Sequence, residues 1–596
     1  MKTIKHFLEN LNNDINNWVG KKSDSEITVT IEPSPRREFG DFSCSVALPL
    51  AKACCQPALS LAEELKEFLD TKSFSEIEKI TVVKPGFINF FLKNQMKRQY
   101  LQTVIKQGNN FGNNNLHKNE KWVVEHTSPN PNKTMHLGHL RNNLVGMSIV
   151  RLLENAGAQV TADAVYNDRG IAIAKVMYGY LLGMKKQSSL PTDVLYWYEH
   201  QDSWWRPEEK NIKPDIFVSQ CYVLGEQVSK NSSWVDSQVR KLVRDWENED
   251  KKTWDLWKLV LNFSYQGISQ TLKRLGNRWD KIWYEHEHYK AGKDYVKSGL
   301  EQGIFKRLED GAILTDLENY NLSDTVLLKR DGTALYITQD IALTDLKKKT
   351  YQADKLIWVI GPDQSLAMKQ MFAVCEQLGI GKLSDFTHIT YGYVGLKGVD
   401  GGFTKMSSRA GTVVTIDDVI DRVKKIISEN FPDLNNVTES DLTEKLALAA
   451  VKFAFLRSDR KQDLVFDFNQ SVNLQGDSGV YVLYTFVRIR SILNKVTDLL
   501  NNNEDLAVYD FGEADELVRH MLYFEQVIEK STKNLSIHYV AQYLLDICSM
   551  FNGWYAKEVI LDNTDKQILK LKIVEGVAVL IKKGLGLMGI ETIDKM

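Results

Sequence analysis

KWVVEHTSPNPNKTMHLGHLRNN, residues Lys121 to Asn143, is the stretch on which the fold turns. Trp122 to Glu125 form a short apolar run suited to a buried parallel strand. A Pro/Asn-rich turn follows, and the spacing predicts a helix from about Gly138. A helix N-terminus presents unpaired N–H groups and the positive end of a dipole, so it attracts phosphate. His136 and His139 stand at that point with Gly138 between them. Imidazoles can donate to phosphate oxygens, and glycine lets a flat ring or a phosphate approach the backbone. Taken alone, H-x-G-H reads equally well as a phosphate-binding turn or as two polar residues at a helix start.

Working outward, the helix GHLRNNLVGMSIVRLLENAG stops at Gly157, a suitable C′ residue. The strand VTADAVY comes next, and Asp168 and Gly170 fall at its carboxyl end. Strand, turn, helix and strand make half of a nucleotide-binding parallel sheet. The sheet rhythm resumes with TVLLKRDGTALYITQDIALTDLKKK, where Tyr336 and Asp340 share one helix face. KLIWVIG is a second buried strand ending in Gly361-Pro362-Asp363-Gln364, and FTHITYGYV is a third. The strand-end polar cluster should face the H-x-G-H turn across the sheet. Beyond it, Lys405-Met406-Ser407-Ser408-Arg409 lies among glycines. It reads as a charged surface loop or as a mobile basic loop that stabilises phosphate charge.

Residues from about 180 to 290 interrupt this rhythm with nine of the 13 tryptophans and long charged helices. They predict a helical insertion whose aromatics are mainly core, although stacking on nucleic-acid bases is open to them. Residues 1–107 predict a small α+β domain, with ITVTIEPS and KITVVKPGFINFFL as strands and LAEELKEFLD as an amphipathic helix. GNNFGNNNLHKNE, over 108–120, reads as a linker. Residues 416–440 read as a connecting helix region, and from 441 onward the pattern is a helix bundle.

The whole-chain composition narrows the class. At 596 residues the chain needs several cores. Apolar content of 43% and charged content of 26% are those of a soluble globular protein. No apolar run reaches the ~20 residues of a membrane span. The N-terminus lacks the apolar core of a signal peptide. Six scattered cysteines form no C-x-x-C pair, which argues against zinc and disulfides and suits a reducing cytoplasm. A net charge of −2 excludes a uniformly basic surface but not a local basic face.

Two separated motifs then agree. H-L-G-H at 136–139 and K-M-S-S-R at 405–409 resemble the two signatures of class I aminoacyl-tRNA synthetases. E-x-x-S-P-N-P-N-K-x-x-H-x-G-H-L-R-N, N-D-R-G, D-G-x-x-x-Y-x-x-x-D and G-x-D-Q narrow the resemblance to arginyl-tRNA synthetases. So do Y-x-x-Y-x-x-x-R (Tyr481, Tyr484, Arg488), G-L-x-L-M-G-I, and the N-terminal G-D-F and P-G-F-I-N-F. The resemblance covers essentially the whole chain. It implies a multidomain α/β protein: a Rossmann-type parallel-sheet catalytic domain over 121–415 with a helical insertion, a small N-terminal α+β domain that touches the tRNA elbow, and a C-terminal α-helical bundle over 441–596 that binds the anticodon.

The resemblance also implies an activity. Arginine would attack the α-phosphate of ATP, and the resulting arginyl-adenylate would pass its arginyl group to tRNA(Arg). His136 and His139 would hold phosphate oxygens. Lys405 and Arg409 would close over pyrophosphate. Gly138, Gly361, Asp363, Met406 and Ser407 would line the ATP site, and Mg2+ would arrive with ATP. Lys133 would stand in for the lysine that the family's second signature commonly carries where Ser408 is here. Glu125, Asn130, Tyr336, Asp340 and Gln364 would form the arginine pocket. Tyr481, Tyr484 and Arg488 would contact tRNA. No metal site, no membrane contact, a cytoplasmic location and a monomer are expected.

Four positions depart from the family pattern. Gln339 stands where arginine is common, and Ala367 where a histidine often follows G-x-D-Q. Leu483 and Phe486 stand where polar residues are usual. Other readings are a different class I synthetase, an inactive tRNA-binding relative, or a small nucleotidyl transferase. Intact signatures and the absence of zinc-type spacing weigh against the first two, and the extra domains weigh against the third.

Overall fold

The computed structural model describes residues 4–397, 403–404, 414–432, 441–496, 510–562 and 564–596. The chain divides into two compact units. One comprises 1–113, 473–534 and 538–596; the other comprises 114–472 with 535–537.

The first unit begins with the helix Ile4–Gly20. A four-stranded antiparallel sheet follows, built from β1 (Ile31–Pro33), β2 (Phe42–Cys44), β3 (Ile77–Val83) and β4 (Phe87–Leu92) in the order β1-β2-β4-β3. KITVVKPGFINFFL is therefore a hairpin rather than one strand. Pro85 lacks the N–H needed to continue a ladder, and Gly86 turns the chain at φ +153°. Ile88, Phe90 and Leu92 alternate into the core.

The expected linker at 108–120 is anchored in part. Phe111 is 1% exposed, 5.5 Å from the Tyr100 ring and stacked on Phe524 at 6.0 Å. One aromatic with a place to bury outweighs an Asn/Gly-rich composition. The helices of this unit at Gly479–Leu493, Asp515–Met521, Phe524–Lys533, His538–Tyr555 and Gln567–Leu587 form the bundle. Leu483 and Phe486 are both buried within it, so these two departures are core positions rather than surface contacts.

The second unit is built on a five-stranded parallel sheet. Its strands are β5 (Lys121–Glu125), β6 (Gln159–Tyr166) and β7 (Lys281–Tyr284), then, after a small antiparallel sheet of β8 (Lys306–Arg307), β9 (Ile313–Leu314) and β10 (Val326–Leu328), β11 (Lys355–Val359) and β12 (Phe386–Ile389). The order is β12-β11-β5-β6-β7. The chain leaves β5 toward β6 and β7, then returns to the other side of β5 with β11. That reversal is a switch point, where open α/β sheets bind ligands at the carboxyl ends of their strands. Val123, Val124, Ile357 and Val359 are all buried, as a sheet covered on both faces requires.

The insertion packs as its own core. Trp197, Trp204, Trp246 and Trp257 are buried with Phe217 and Phe263, which bears out the core reading of these tryptophans. Gly179 and Gly225 let the helices Ile171–Gly183 and Pro214–Asn231 cross in backbone contact. A Cβ on Gly179 would run into the Cys221 carbonyl, and one on Gly225 into that of Lys175. The insertion gives way to the sheet at Lys281, earlier than the expected 290, because β7 pairs with β6 through Tyr284 and Tyr166.

Residues 441–472 pack with this second unit rather than with the bundle. The helix Leu442–Leu456 lies on Ile416–Asn430 and Leu137–Asn155. β13 (Val394–Lys397) pairs with β14 (Phe403–Thr404) on one side and with β15 (Leu464–Phe466) on the other. The fully buried Arg141 donates to the carbonyls of Phe455 and Asp459. Periodicity recognises this helix but cannot say which core its apolar face joins.

Candidate functional site

The helix Leu137–Asn155 begins where the spacing predicts. His136 is its N-cap: Gly138 N donates to His136 Nδ1 (3.1 Å), and His136 N donates to His139 Nδ1 (3.1 Å). The rings lie 4.1 Å apart. Burial lowers the pKa of both, with Lys133 adding to the effect, and His139 falls to about 3. Both imidazoles are therefore neutral. Because each Nδ1 accepts a backbone proton, each Nε2 must carry the ring hydrogen. Two Nε2–H donors thus stand at the positive end of a helix dipole. Thr415 bridges His136, and Ile416 N donates to Met135 O (3.2 Å).

A cavity of about 360 Å³ opens at the carboxyl ends of β5 and β11. Among its lining residues are Glu125, His139, Glu285, His288, Tyr336, Asp340, Gly361 and Gln364. Asn142 braces its mouth. Its Oδ1 accepts from Thr127 N (2.7 Å), and its Nδ2 donates to Val359 O (2.7 Å) and the Tyr391 hydroxyl (3.2 Å). One side chain thereby ties the ends of two neighbouring strands together.

The wall of the cavity is acidic. Asp340 opens into it, and its carboxylate takes no hydrogen bond among the described residues. The protein around the cavity, together with Glu125 and Glu285, pushes the Asp340 carboxyl up to about 7. Burial likewise pushes buried Glu285 up to about 7, against the pull of Arg169, whose Nη1 is 3.7 Å away. Glu125 is different. Its Oε2 accepts from Lys347 Nζ (2.8 Å), which also reaches Asp163 Oδ2 (2.9 Å), and its Oε1 accepts from Ser128 (3.2 Å). Glu125 and Asp163 face each other across β5 and β6, and Lys347 enters between them. Glu285 is compensated in part by Arg169, so the uncompensated carboxylate of the cavity is that of Asp340.

A second cavity of about 540 Å³ adjoins the first and shares Asn167, Glu285, Tyr336 and Gln339 with it. Asn130 and Lys133 line this one rather than the first, with Arg169 and Lys329. Asn130 Oδ1 accepts from Asn167 (3.4 Å), and Lys133 Nζ lies 5.3 Å over the Tyr222 ring. Gly361 stands next to Asp363, whose Oδ1 accepts from the Tyr393 hydroxyl (3.2 Å). Lys405, Met406, Ser407, Ser408 and Arg409 lie outside the described residues.

Several members of the site escape sequence reading. Glu285 follows directly on β7, and Lys347 lies two turns from Asp340 on one helix face. Strand-end position and a seven-residue spacing were the available signals. His288 left no such signal. Asp168, noted as a strand-end residue, proves fully buried, accepting from His286 N (3.0 Å), His286 Nδ1 (2.6 Å) and Tyr265 (3.1 Å). It holds the end of β6 to the residues after β7, so its part is structural.

In the bundle, Tyr481, Tyr484 and Arg488 come together around Asn552. Arg488 donates to Asn552 Oδ1 (2.7 Å) and the Tyr484 hydroxyl (3.1 Å), and Asn552 donates to the Tyr481 hydroxyl (3.1 Å). The Arg488 guanidinium lies 4.8 Å over Tyr484 and 5.6 Å over Tyr555. Both tyrosines are more than one-third exposed, so the cluster is a surface feature.

Residues 100–468 match the family model for the class I tRNA synthetase (R) catalytic domain. The chain belongs to the arginyl-tRNA synthetases. The synthetase's residues 482–596 match the DALR anticodon binding domain, and residues 2–92 the arginyl-tRNA synthetase N-terminal domain. The arginine–tRNA ligase of Amoebophilus asiaticus is 30% identical over 602 residues, covering 95% of this chain and 96% of that one. That of Treponema denticola is 31% identical, covering 95% of each. The Thermus thermophilus arginyl-tRNA synthetase structure, at 23% identity, shares the fold with a TM-score of 0.78 over 99% of this chain and 100% of that one. The synthetase is thus an enzyme that charges tRNA with arginine.

Proposed function

We propose that the acidic cavity takes the side chain of L-arginine and that the two neutral imidazoles take the phosphates of ATP. Guanidinium offers five donors in a rigid plane and no acceptor, so it needs carboxylates that no protein cation already holds. Asp340 is such a group, and Glu285, which Arg169 approaches only to 3.7 Å, adds a second acceptor. Glu125, paired with Lys347, contributes its Oε1 side and the geometry of the cavity floor. Tyr336, at the boundary of the two cavities, adds a ring face. Gln364 and Asn130 bind the α-amino and carboxylate end. Lysine cannot reproduce the planar fork and leaves acceptors unpaired, which gives selection against it.

The first step is in-line attack of the arginine carboxylate on the α-phosphate, forming the mixed anhydride and expelling pyrophosphate. A ribose hydroxyl at the tRNA terminus then attacks the arginyl carbonyl and expels AMP. These steps need positioning and charge stabilisation more than a protein nucleophile. His136 and His139 donate through Nε2–H to phosphate oxygens. Gly138, Gly361, Asp363, Met406 and Ser407 frame adenine and ribose. Lys133, Lys405 and Arg409 neutralise the departing pyrophosphate, and Mg2+ enters on ATP, held by phosphates and water. Residues 1–107 contact the tRNA elbow, and Tyr481, Tyr484 and Arg488 contact the anticodon side. The enzyme acts as a cytoplasmic monomer.

The observation that supports this reading is the pairing of an acidic cavity with two Nε2–H donors at one sheet switch point. Pyrophosphate exchange with each amino acid, with and without tRNA, tests it. Exchange stimulated by arginine and by no other amino acid is expected. Exchange driven by another amino acid would overturn it.

A further inference from the structure

His288 is a buried titratable group of the cavity with no part in the proposed mechanism. It is the last residue of the short helical turn Glu285–His288, lines the first cavity and is 9% exposed. Neither Nδ1 nor Nε2 has a hydrogen-bond partner among the described residues. A buried polar atom left unpaired is destabilising, and an imidazole has two such atoms. Burial, with Lys347 nearby, lowers the His288 pKa to about 4, so the ring is neutral at ordinary pH. A neutral imidazole offers one N–H donor and one bare nitrogen.

We propose that His288 is a further specificity-determining residue for arginine: its bare nitrogen accepts a guanidinium N–H that the carboxylates leave unpaired. This rests on the assignment of the cavity to arginine. The chemistry favours an imidazole over a third carboxylate. The Asp340 carboxyl is already raised by the surrounding protein, Glu125 and Glu285, and that of Glu285 by burial and Asp168. Another acid would push them further toward protonation, whereas a neutral acceptor adds a hydrogen bond without adding charge. The remaining N–H donates to a carboxylate oxygen of the cavity or to water.

Calorimetric titration of the full-length enzyme with L-arginine, beside steady-state kinetics, tests both statements. H288F keeps an aromatic ring and removes the acceptor. It is expected to weaken arginine binding and raise the arginine KM by roughly 10-fold or more, with kcat held within about 3-fold. H288N restores an acceptor and should recover most of the affinity. If H288F does not fold, H288L carries the same test. D340N is the control for the cavity itself. Loss of arginine affinity in D340N with unchanged affinity in H288F overturns the role of His288 and leaves the cavity assignment standing. Unchanged affinity in D340N overturns the cavity assignment. Equal loss in H288F and H288N, or a fall in kcat matching the rise in KM, would mark His288 as structural and also overturn the proposal.

Discussion

Lys347 Nζ lies 2.8 Å from Glu125 Oε2 and holds that carboxylate beside Asp163 in the floor of the acidic cavity. All three groups are buried. Burial works against the Lys347 charge, but Asp163 and Glu125 together raise its pKa; burial raises the Asp163 pKa, and Lys347 pulls it back. Removing one member of a buried ionic group leaves an uncompensated charge. K347M is therefore expected to cost the second unit about 3–5 kcal/mol. Thermal melting followed by circular dichroism checks this, and K347M/D163N should recover part of the loss. An unchanged melting profile in K347M would contradict the reading.

His136 caps the helix Leu137–Asn155 and is proposed to donate through Nε2 to ATP. H136A should slow adenylate formation by about 10²–10³, the usual cost of losing a charge-stabilising donor. The lost cap should cost only about 1 kcal/mol of stability. Single-turnover formation of arginyl-adenylate beside a melting curve separates the two effects. A near-normal single-turnover rate would remove His136 from the phosphate site.

The raised pKa of Asp340, about 7, gives arginine binding a pH dependence. Guanidinium needs the ionised carboxylate, so affinity should rise with pH up to about 7 and level off above it. Below 7 it should fall by about tenfold per pH unit for one linked proton, and more steeply where Glu285 adds a second. The stability sign is opposite. A carboxyl whose folded pKa exceeds its unfolded value of 3.8 binds its proton more tightly in the native state. Its contribution to stability therefore falls as pH rises from about 4 to 7. Titration with arginine at pH 6, 7 and 8 should show the slope, and D340N should flatten it.

Arg488 is held by Asn552 and stacked near two exposed tyrosines, an arrangement suited to nucleotide bases and phosphate. R488A should raise the KM for tRNA by roughly 10-fold or more, with the KM values for arginine and ATP little changed. Aminoacylation kinetics over a range of tRNA concentrations check this. A KM for tRNA equal to that of the parent enzyme would place anticodon-side contacts elsewhere.

Much of this protein was legible along the chain. Runs such as KLIWVIG and the H-x-G-H turn carry local signals, because strand burial and helix capping depend on neighbouring residues. Tyr336 and Asp340 were found through helix spacing, which is also local. The charge state of the cavity was not legible. Glu125 looks like a free guanidinium partner in sequence, yet Lys347, 222 residues later, takes one of its oxygens. Asp168 looks like a ligand at a strand end, yet His286 and Tyr265 occupy its carboxylate. The helix Leu442–Leu456 shows its apolar face to any reader, but only packing assigns it to the parallel-sheet unit. Elements, family motifs and the kind of chemistry can be read from residue order alone. Which charges are compensated and which remain open to the cavity is settled only in three dimensions, because Coulomb and hydrogen-bond partners are chosen by distance in space, and Glu125 finds Lys347, 222 residues away.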